Sequence, residues 1–259
     1  MNGTSFSLTG VGFDVEGRTL LHPLTLDVPR GEVVGILGHN GSGKSTLLKI
    51  LARIQPATVG DVTCLGQDIR AFTTREYARK VAYLPQQAPD TDGMTVGEVV
   101  ALGRYPWHGA LGRFSSTDKA KVAEALDLTS LAPFAGRIVD TLSGGERQRA
   151  FLAMLIAQDA QCLLLDEPIS ALDINHQIEV MHLIRKLAHE HDRSILIVLH
   201  DINMAARYCD RLIALSGGKL VAHEEAELLI TPERLDAIYG VRMGIFTHPT
   251  TQTPVSYVL

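Results

Sequence analysis

The run Gly38-His39-Asn40-Gly41-Ser42-Gly43-Lys44-Ser45 constrains this chain more than any other part of it. It fits G-x-x-x-x-G-K-[ST] and lies between the apolar run Val33–Leu37 and a second apolar run, 46–54, with helical spacing. A strand, a glycine-rich loop and a helix in that order make an anion cradle. Glycines let successive backbone N–H groups converge on phosphate oxygens, and the helix adds its unpaired N–H groups and positive end. In such a cradle Lys44 is expected to reach β- and γ-phosphates and the Ser45 hydroxyl to ligate Mg2+. The competing reading is a plain glycine turn, and the strand–helix context argues against it.

The rest of the chain supplies a sheet for this loop. Residues 6–28 read as two strands about a turn at Glu16-Gly17, and Val81–Leu84, 162–165 and 195–199 as buried strands. Residues 212–215 and 219–222 flank Ser216-Gly217-Gly218 as a hairpin. Helices are expected over Gly144–Gln158 and 174–191. Between 88 and about 140 the pattern becomes helical, with a capping box at Thr95-x-x-Glu98 and a helix over 118–128. Alternating strands and helices imply a largely parallel α/β sheet. The core is assigned to 1–87 and 156–259, and 88–155 to an inserted helical lobe.

In a parallel sheet the strand C-termini line the ligand crevice. The strand 162–165 ends there in Asp166-Glu167. Asp166 is expected to hold Mg2+ and Glu167 to act as general base toward an attacking water, against the plainer reading of two solvated acids. His200 follows the run 195–199 and is a candidate for contacting a γ-phosphate, or else a surface histidine. Gln86, just past Val81–Leu84, is by itself only a polar loop residue.

Composition narrows the partners. A net charge of −5 over 259 residues, with no block of Lys and Arg, excludes a nucleic-acid binder. The cysteines Cys64, Cys162 and Cys209 form no CxxC pair and read as core thiols of a reducing compartment. No signal-peptide pattern opens the chain, and its apolar runs are far below the ~18 residues of a spanning helix. A soluble subunit is expected, reaching a membrane only through a partner.

Leu142-Ser143-Gly144-Gly145-Glu146-Arg147-Gln148 is a second glycine-bearing helix start, and Ser143-x-x-Glu146 also fits a capping box. Capping does not account for the ordered set: 38–45, Gln86, 142–146, Asp166-Glu167, Ser170-Ala171-Leu172-Asp173 and His200. In that order these segments resemble the phosphate loop, Q-loop, LSGGQ-type signature, acidic strand, D-loop and switch histidine of the ATP-binding-cassette (ABC) ATPases, across essentially the whole chain. The resemblance implies a P-loop ATPase core with an N-terminal antiparallel β subdomain and an inserted α-helical subdomain. It implies ATP and Mg2+ as cofactors and an ATP-sandwich homodimer. Gly38, His39, Asn40, Gly41, Ser42, Gly43, Lys44, Ser45 and Thr46 of one copy would face Ser143 and Gly145 of the other across each ATP. Glu167 would activate water, His200 would hold the γ-phosphate, Gln86 would sense Mg2+ and γ-phosphate, and Asp173 would link the two sites. The chain departs from the family where an aromatic residue often stacks on adenine: Val15 stands there, with Phe13 two residues before. Ile169 replaces the usual Thr after the proline.

Within the family the chain is most similar to ATPases of bacterial iron(III)–siderophore importers, those for hydroxamates in particular. The matching stretches are VAYLPQQ at 81–87, GRYPWHGALGRF at 103–114 and LHDINMAARYC at 199–209. This resemblance implies a peripheral subunit at the cytoplasmic face of the inner membrane, joined to a transmembrane permease through the helical lobe and indirectly to a periplasmic or surface siderophore-binding protein. Haem and cobalamin importers have similar ATPases. Tyr105, Pro106 and Trp107 are bulky for a loop and read either as permease contact or as lobe core. A soluble ABC protein of DNA repair or translation would bring two cassettes or a coiled coil, and a P-loop kinase would lack the signature and Glu167. His182, His189 and His191 read as a solvated helix face and 247–259 as a surface segment.

Overall fold

The computed structural model describes residues 3–87, 89–109 and 112–259. Ala88, the expected first residue of the lobe, and Ala110 and Leu111, within 103–114, lie outside the described residues, as do Met1 and Asn2. The strands are β1 (Thr4–Val15), β2 (Arg18–Pro29), β3 (Val33–Leu37), β4 (Val59–Cys64), β5 (Gln67–Asp68), β6 (Val81–Leu84), β7 (Cys162–Asp166), β8 (Ser194–Val198), β9 (Arg211–Ser216), β10 (Lys219–Glu225), β11 (Met243–Thr247) and β12 (Pro254–Val258). The helices are α1 (Lys44–Leu51), α2 (Thr74–Ala78), α3 (Val96–Leu102), α4 (Tyr105–His108), α5 (Ser116–Leu128), α6 (Gly144–Gln158), α7 (Ile174–His189), α8 (Ile202–Tyr208), α9 (Ala226–Leu229) and α10 (Pro232–Tyr239).

β3 is buried at every residue, so it has no polar face and must be covered on both sides. It lies inside a six-stranded sheet of order β10-β9-β3-β8-β7-β6, parallel except for the β9–β10 hairpin. Alternate residues of each strand feed two different cores. Val33, Leu37, Leu163, Leu165, Ile195 and Ile197 pack under α3 and α5–α8, whereas Val34, Ile36, Leu164, Leu196 and Val198 pack against α1 and the second sheet. That second sheet is antiparallel, of order β2-β1-β4-β5. Gly35 is required where α8 crosses β3: a Cβ there would meet Cys209 Sγ at 2.8 Å and Leu212 Cδ2 at 2.7 Å. The three cysteines are all buried and free.

Between β6 and β7 the described chain is helical. Thr95, Ser115 and Ser143 each cap a helix with the reciprocal box, so the expected starts of α3 and α6 are found and α5 begins two residues before the expected 118. The buried Arg104–Asp118 pair (2.8 Å) and an Arg104 bond to Ala157 O (2.7 Å) tie α5 to α6. Trp107 is held: Nε1 donates to Gln158 O at 2.7 Å and the ring lies between the Arg79 and Arg104 guanidinium groups, at 5.0 and 4.9 Å. Tyr105 is 54% exposed and Trp107 38%, so both aromatics keep surface open to solvent, and Trp107 is the one pinned through its Nε1.

Residues 247–259 lie at the surface as expected, with Ser256 alone buried, and they are also ordered: β11 and β12 pair, and Ser256 makes three hydrogen bonds with Asn203 of α8. His189 is also more than a solvated side chain, since its Nε2 lies 2.9 Å from Asp210 Oδ2, the oxygen that accepts from Val33 N at 2.8 Å. Among the described residues no helix is long and apolar enough to cross a membrane.

Candidate active site

The turn out of β3 depends on glycine. Gly38 has φ +149°, and a Cβ there would fall 2.2 Å from Leu215 O and 2.5 Å from Ser42 Oγ. Gly43 caps the next helix in the left-handed region, at φ +97°. α1 begins at Lys44, two residues before the expected start, which puts Lys44 and Ser45 in its first turn. The Lys44 side chain folds back across the loop: Nζ donates to Gly38 O at 2.8 Å and to His39 O at 3.0 Å. Burial lowers the pKa of this amine, while Glu167 and Asp166 oppose the shift. The charge is thus aimed from inside the loop at whatever the loop holds.

β7 lies between β6 and β8 and ends in Asp166, which is buried. The Ser45 hydroxyl donates to Asp166 Oδ1 at 3.0 Å, and the Tyr83 hydroxyl reaches Oδ2 at 3.5 Å. Burial raises the Asp166 pKa, the Ser45 bond opposes it, and the neighbouring Glu167 charge adds to it. Glu167 takes the left-handed backbone conformation, φ +54°, unusual for a side chain of its size. Its carboxylate is shared between two loops: Oε2 accepts from Gln86 Nε2 at 2.8 Å, and Oε1 lies 2.6 Å from His200 Nε2. The three residues follow β6, β7 and β8, so parallel neighbours in the sheet bring them together.

Lys44, Ser45, Gln86, Glu167 and His200 border one cleft of about 520 Å3, which Asp166 does not line but reaches through its bond with Ser45. Asn40, Gly41, Gly43, Lys44, Ser45 and Thr46 form its floor, and Gln86, Glu167 and His200 one wall. Gly38, His39 and Ser42 shape the loop without lining the cleft: His39 Nε2 accepts from Gly217 N at 3.4 Å, and Ser42 is buried. The other wall was not legible in the sequence. Arg18 and Leu20 of β2 line the cleft, while Val15 does not and Phe13 packs against the core beneath the sheet. Val15 is the direct cross-strand partner of Arg18, on the same face of the ribbon, but it lies outside the lining.

Ser143, Gly145 and Asp173 do not line this cleft. Ser143 caps α6, with Glu146 Oε2 accepting from its N–H and hydroxyl, each at 2.9 Å. Asp173 caps α7, its Oδ1 accepting from His176 N at 3.0 Å. The predicted site residues therefore fall into two groups within one subunit, the cleft residues and the signature with Asp173.

A glycine loop between a parallel strand and a helix, a buried lysine, and a hydroxyl–carboxylate pair define a P-loop nucleotide-binding protein. Residues 21–170 match the ABC transporter family, and the chain belongs to it. The fold is that of an ABC ATPase, and ATP hydrolysis is the activity of the class. The chain is 38% identical to the iron(3+)-hydroxamate import ATP-binding protein FhuC of Bacillus subtilis (strain 168), over 98% of this chain and 94% of that protein. It is 41% identical to the ferric enterobactin transport ATP-binding protein FepC of Escherichia coli (strain K12), over 92% and 88%. Among solved structures, a metal-chelate type ABC transporter in an inward-facing conformation superposes with TM-score 0.87 at 26% identity, over 99% of this chain and 97% of that one. A dimeric bacterial ABC transporter cassette superposes with TM-score 0.74 at 29% identity, over 85% and 98%.

Proposed function

We infer that this chain is the ATP-hydrolysing subunit of a membrane importer for iron(III)–hydroxamate siderophores. The observation that carries the hydrolytic part is the Glu167 carboxylate held at both oxygens, by Gln86 and His200, on one wall of the cleft. A carboxylate so fixed can take a proton from a water aligned with a γ-phosphate, while Lys44 balances charge on the β- and γ-phosphates. His200 then steadies the phosphate and the water. Arg18 and Leu20 form the far wall, so the adenine is assigned to them: a guanidinium plane over a purine face, with an apolar side chain beneath.

Ser45 and Asp166 suit a magnesium ion. They offer a hydroxyl and a buried carboxylate, hard oxygen donors, and the raised Asp166 pKa marks a carboxylate in need of a cation. Bound there, Mg2+ would neutralise charge across the β- and γ-phosphates. Gln86 has its amide oxygen available toward the same ion, because its Nε2 serves Glu167.

Ser143, Gly145 and Asp173 have no role at the cleft of their own subunit. They fit a two-fold arrangement in which the signature of one copy closes on the ATP held by the other, and a similar cassette is dimeric. In this reading residues 88–155 form the lobe that meets the permease at the cytoplasmic face of the membrane, with exposed Leu102, Tyr105 and Phe114 available for contact. A siderophore-binding protein would act on the far side of the permease.

Cargo is read from similarity to FhuC and FepC. Co-purification from membranes, followed by uptake of labelled ferric hydroxamates, haem and cobalamin, tests it. Uptake of ferric hydroxamate that is lost with Glu167→Gln supports the reading; uptake of haem or cobalamin alone would replace it. Tyr105→Ala is expected to weaken permease co-purification and to spare ATP binding.

A further inference from the structure

Gly145 is buried although the two residues before it, Ser143 and Gly144, are exposed. An imidazole covers it. A Cβ at position 145 would lie 2.6 Å from both Cγ and Cδ2 of His176, which leaves no room for any side chain. The same ring reaches the D-loop: His176 Nδ1 lies 2.9 Å from Asp173 Oδ2, while the His176 backbone N–H donates to Oδ1. These two bonds, the backbone one first, hold the Asp173 carboxyl below its usual range, so it is ionised at neutral pH. About one turn further along the same helices, Arg149 of α6 pairs with Glu179 of α7.

We propose that His176 is a positioning residue that joins signature Gly145 and D-loop Asp173 into one unit, so that both meet a second copy's nucleotide in fixed register. Gly145 is glycine here for two reasons: phosphate approach across the dimer and the ring packed upon it within its own subunit. Neither Gly145 nor Asp173 lines the cleft of its own chain, so their relative placement matters only where two copies meet. The inference rests on the two-fold reading proposed above.

The test separates binding to one subunit from closure of two. In a Glu167→Gln background, affinity for a fluorescent ATP analogue reports the subunit's own cleft, and sedimentation with ATP reports the dimer. His176→Ala is expected to keep analogue affinity within about twofold and to weaken ATP-dependent dimerisation at least about tenfold. Gly145→Ala is expected to dimerise worse still. Because the two residues touch, the double variant should dimerise no worse than Gly145→Ala alone, and strict additivity is the contrary result. Wild-type dimerisation of His176→Ala would overturn the proposal, as would a double variant that loses the product of both single losses.

Should His176→Ala lose analogue binding as well, His176→Asn decides. It removes the ring while keeping a polar donor, and it is expected to melt like the parent yet dimerise poorly. Parental melting with parental dimerisation would count against the proposal. If the Glu167→Gln parent itself stays monomeric with ATP, the two-fold reading fails and this inference falls with it.

Discussion

Glu167 and His200 meet at 2.6 Å although they follow different strands of the sheet. Asp166 pairs with Val198 in the β7–β8 register, so both chains leave the sheet at the same level and their next polar residues converge. The left-handed backbone of Glu167 completes the arrangement by turning its carboxylate out of line with the strand. The register of the sheet thus sets Glu167 beside His200.

Asp166 carries a raised pKa because it is buried. For a carboxyl raised in the fold, the stabilising contribution is full below the unfolded value and is lost as pH rises through the folded value, so at neutral pH the ionised group is a cost. Asp166→Asn keeps an acceptor for Ser45 and removes that cost. Thermal melts at pH 7 in chelator should therefore rise, by about 2–4 °C if roughly 1 kcal/mol is recovered, while magnesium-dependent phosphate release is lost. A lower melting temperature would contradict the assignment.

Arg18 is predicted to recognise the base and not the phosphates. Arg18→Ala should weaken ATP binding by about tenfold, the worth of a partly desolvated cation–π contact, and leave inorganic tripolyphosphate binding unchanged. Arg18→Trp should restore most of the ATP affinity by stacking. Equal loss for both ligands would reassign Arg18 to phosphate, and no loss for either would move the base elsewhere.

Gly38→Ala meets a backbone carbonyl, Leu215 O, at 2.2 Å, in a conformation that side chains rarely adopt. Neither obstacle can swing aside. The variant is expected to lose about 3 kcal/mol of stability, in the range for strain at a special backbone position, and to lose nucleotide binding with it. Denaturant unfolding with unchanged slope and a lower midpoint would register this.

Asn203 fastens the C-terminal hairpin to α8, three residues past His200, through bonds of 2.8, 3.0 and 3.2 Å to Ser256. Asn203→Ala should cost about 1–3 kcal/mol, because Ser256 is left with unmet polar atoms. If the hairpin also steadies His200, kcat falls at unchanged KM for ATP. A fall in both together would point instead to damage at the cleft.

The parts of this site that are legible in the sequence are those encoded locally. Val33–Leu37 and Val81–Leu84 announce buried strands by apolar continuity, and Gly144–Gln158 announces a helix by its Ser143–Glu146 box. Lys44, Ser45, Asp166, Glu167, Gln86 and His200 are anticipated because each ends or follows such an element. The missed features depend on distant register. Arg18 carries no motif, and only the pairing of β1 with β2 beside the phosphate loop brings it to the cleft. β4 hides behind Gly60 and Asp61, which break its alternation although Val62 and Cys64 are buried. The β11–β12 hairpin is weakly apolar, with Pro254 at the start of an edge strand, and its anchor is a residue 53 positions away. His176 carries no motif, and only the fold brings it onto Gly145.

Glu167 is proposed as the base of a site completed by a second copy. Its most direct test is Glu167→Gln, a change of nearly equal shape that keeps one acceptor oxygen for Gln86 but cannot take a proton from water. Sedimentation with magnesium and ATP, beside phosphate release from the same sample, should give a stable dimer holding two ATP molecules and turnover reduced by at least about a hundredfold. A variant that remains monomeric with ATP, or that hydrolyses it at the parental rate, would contradict the account.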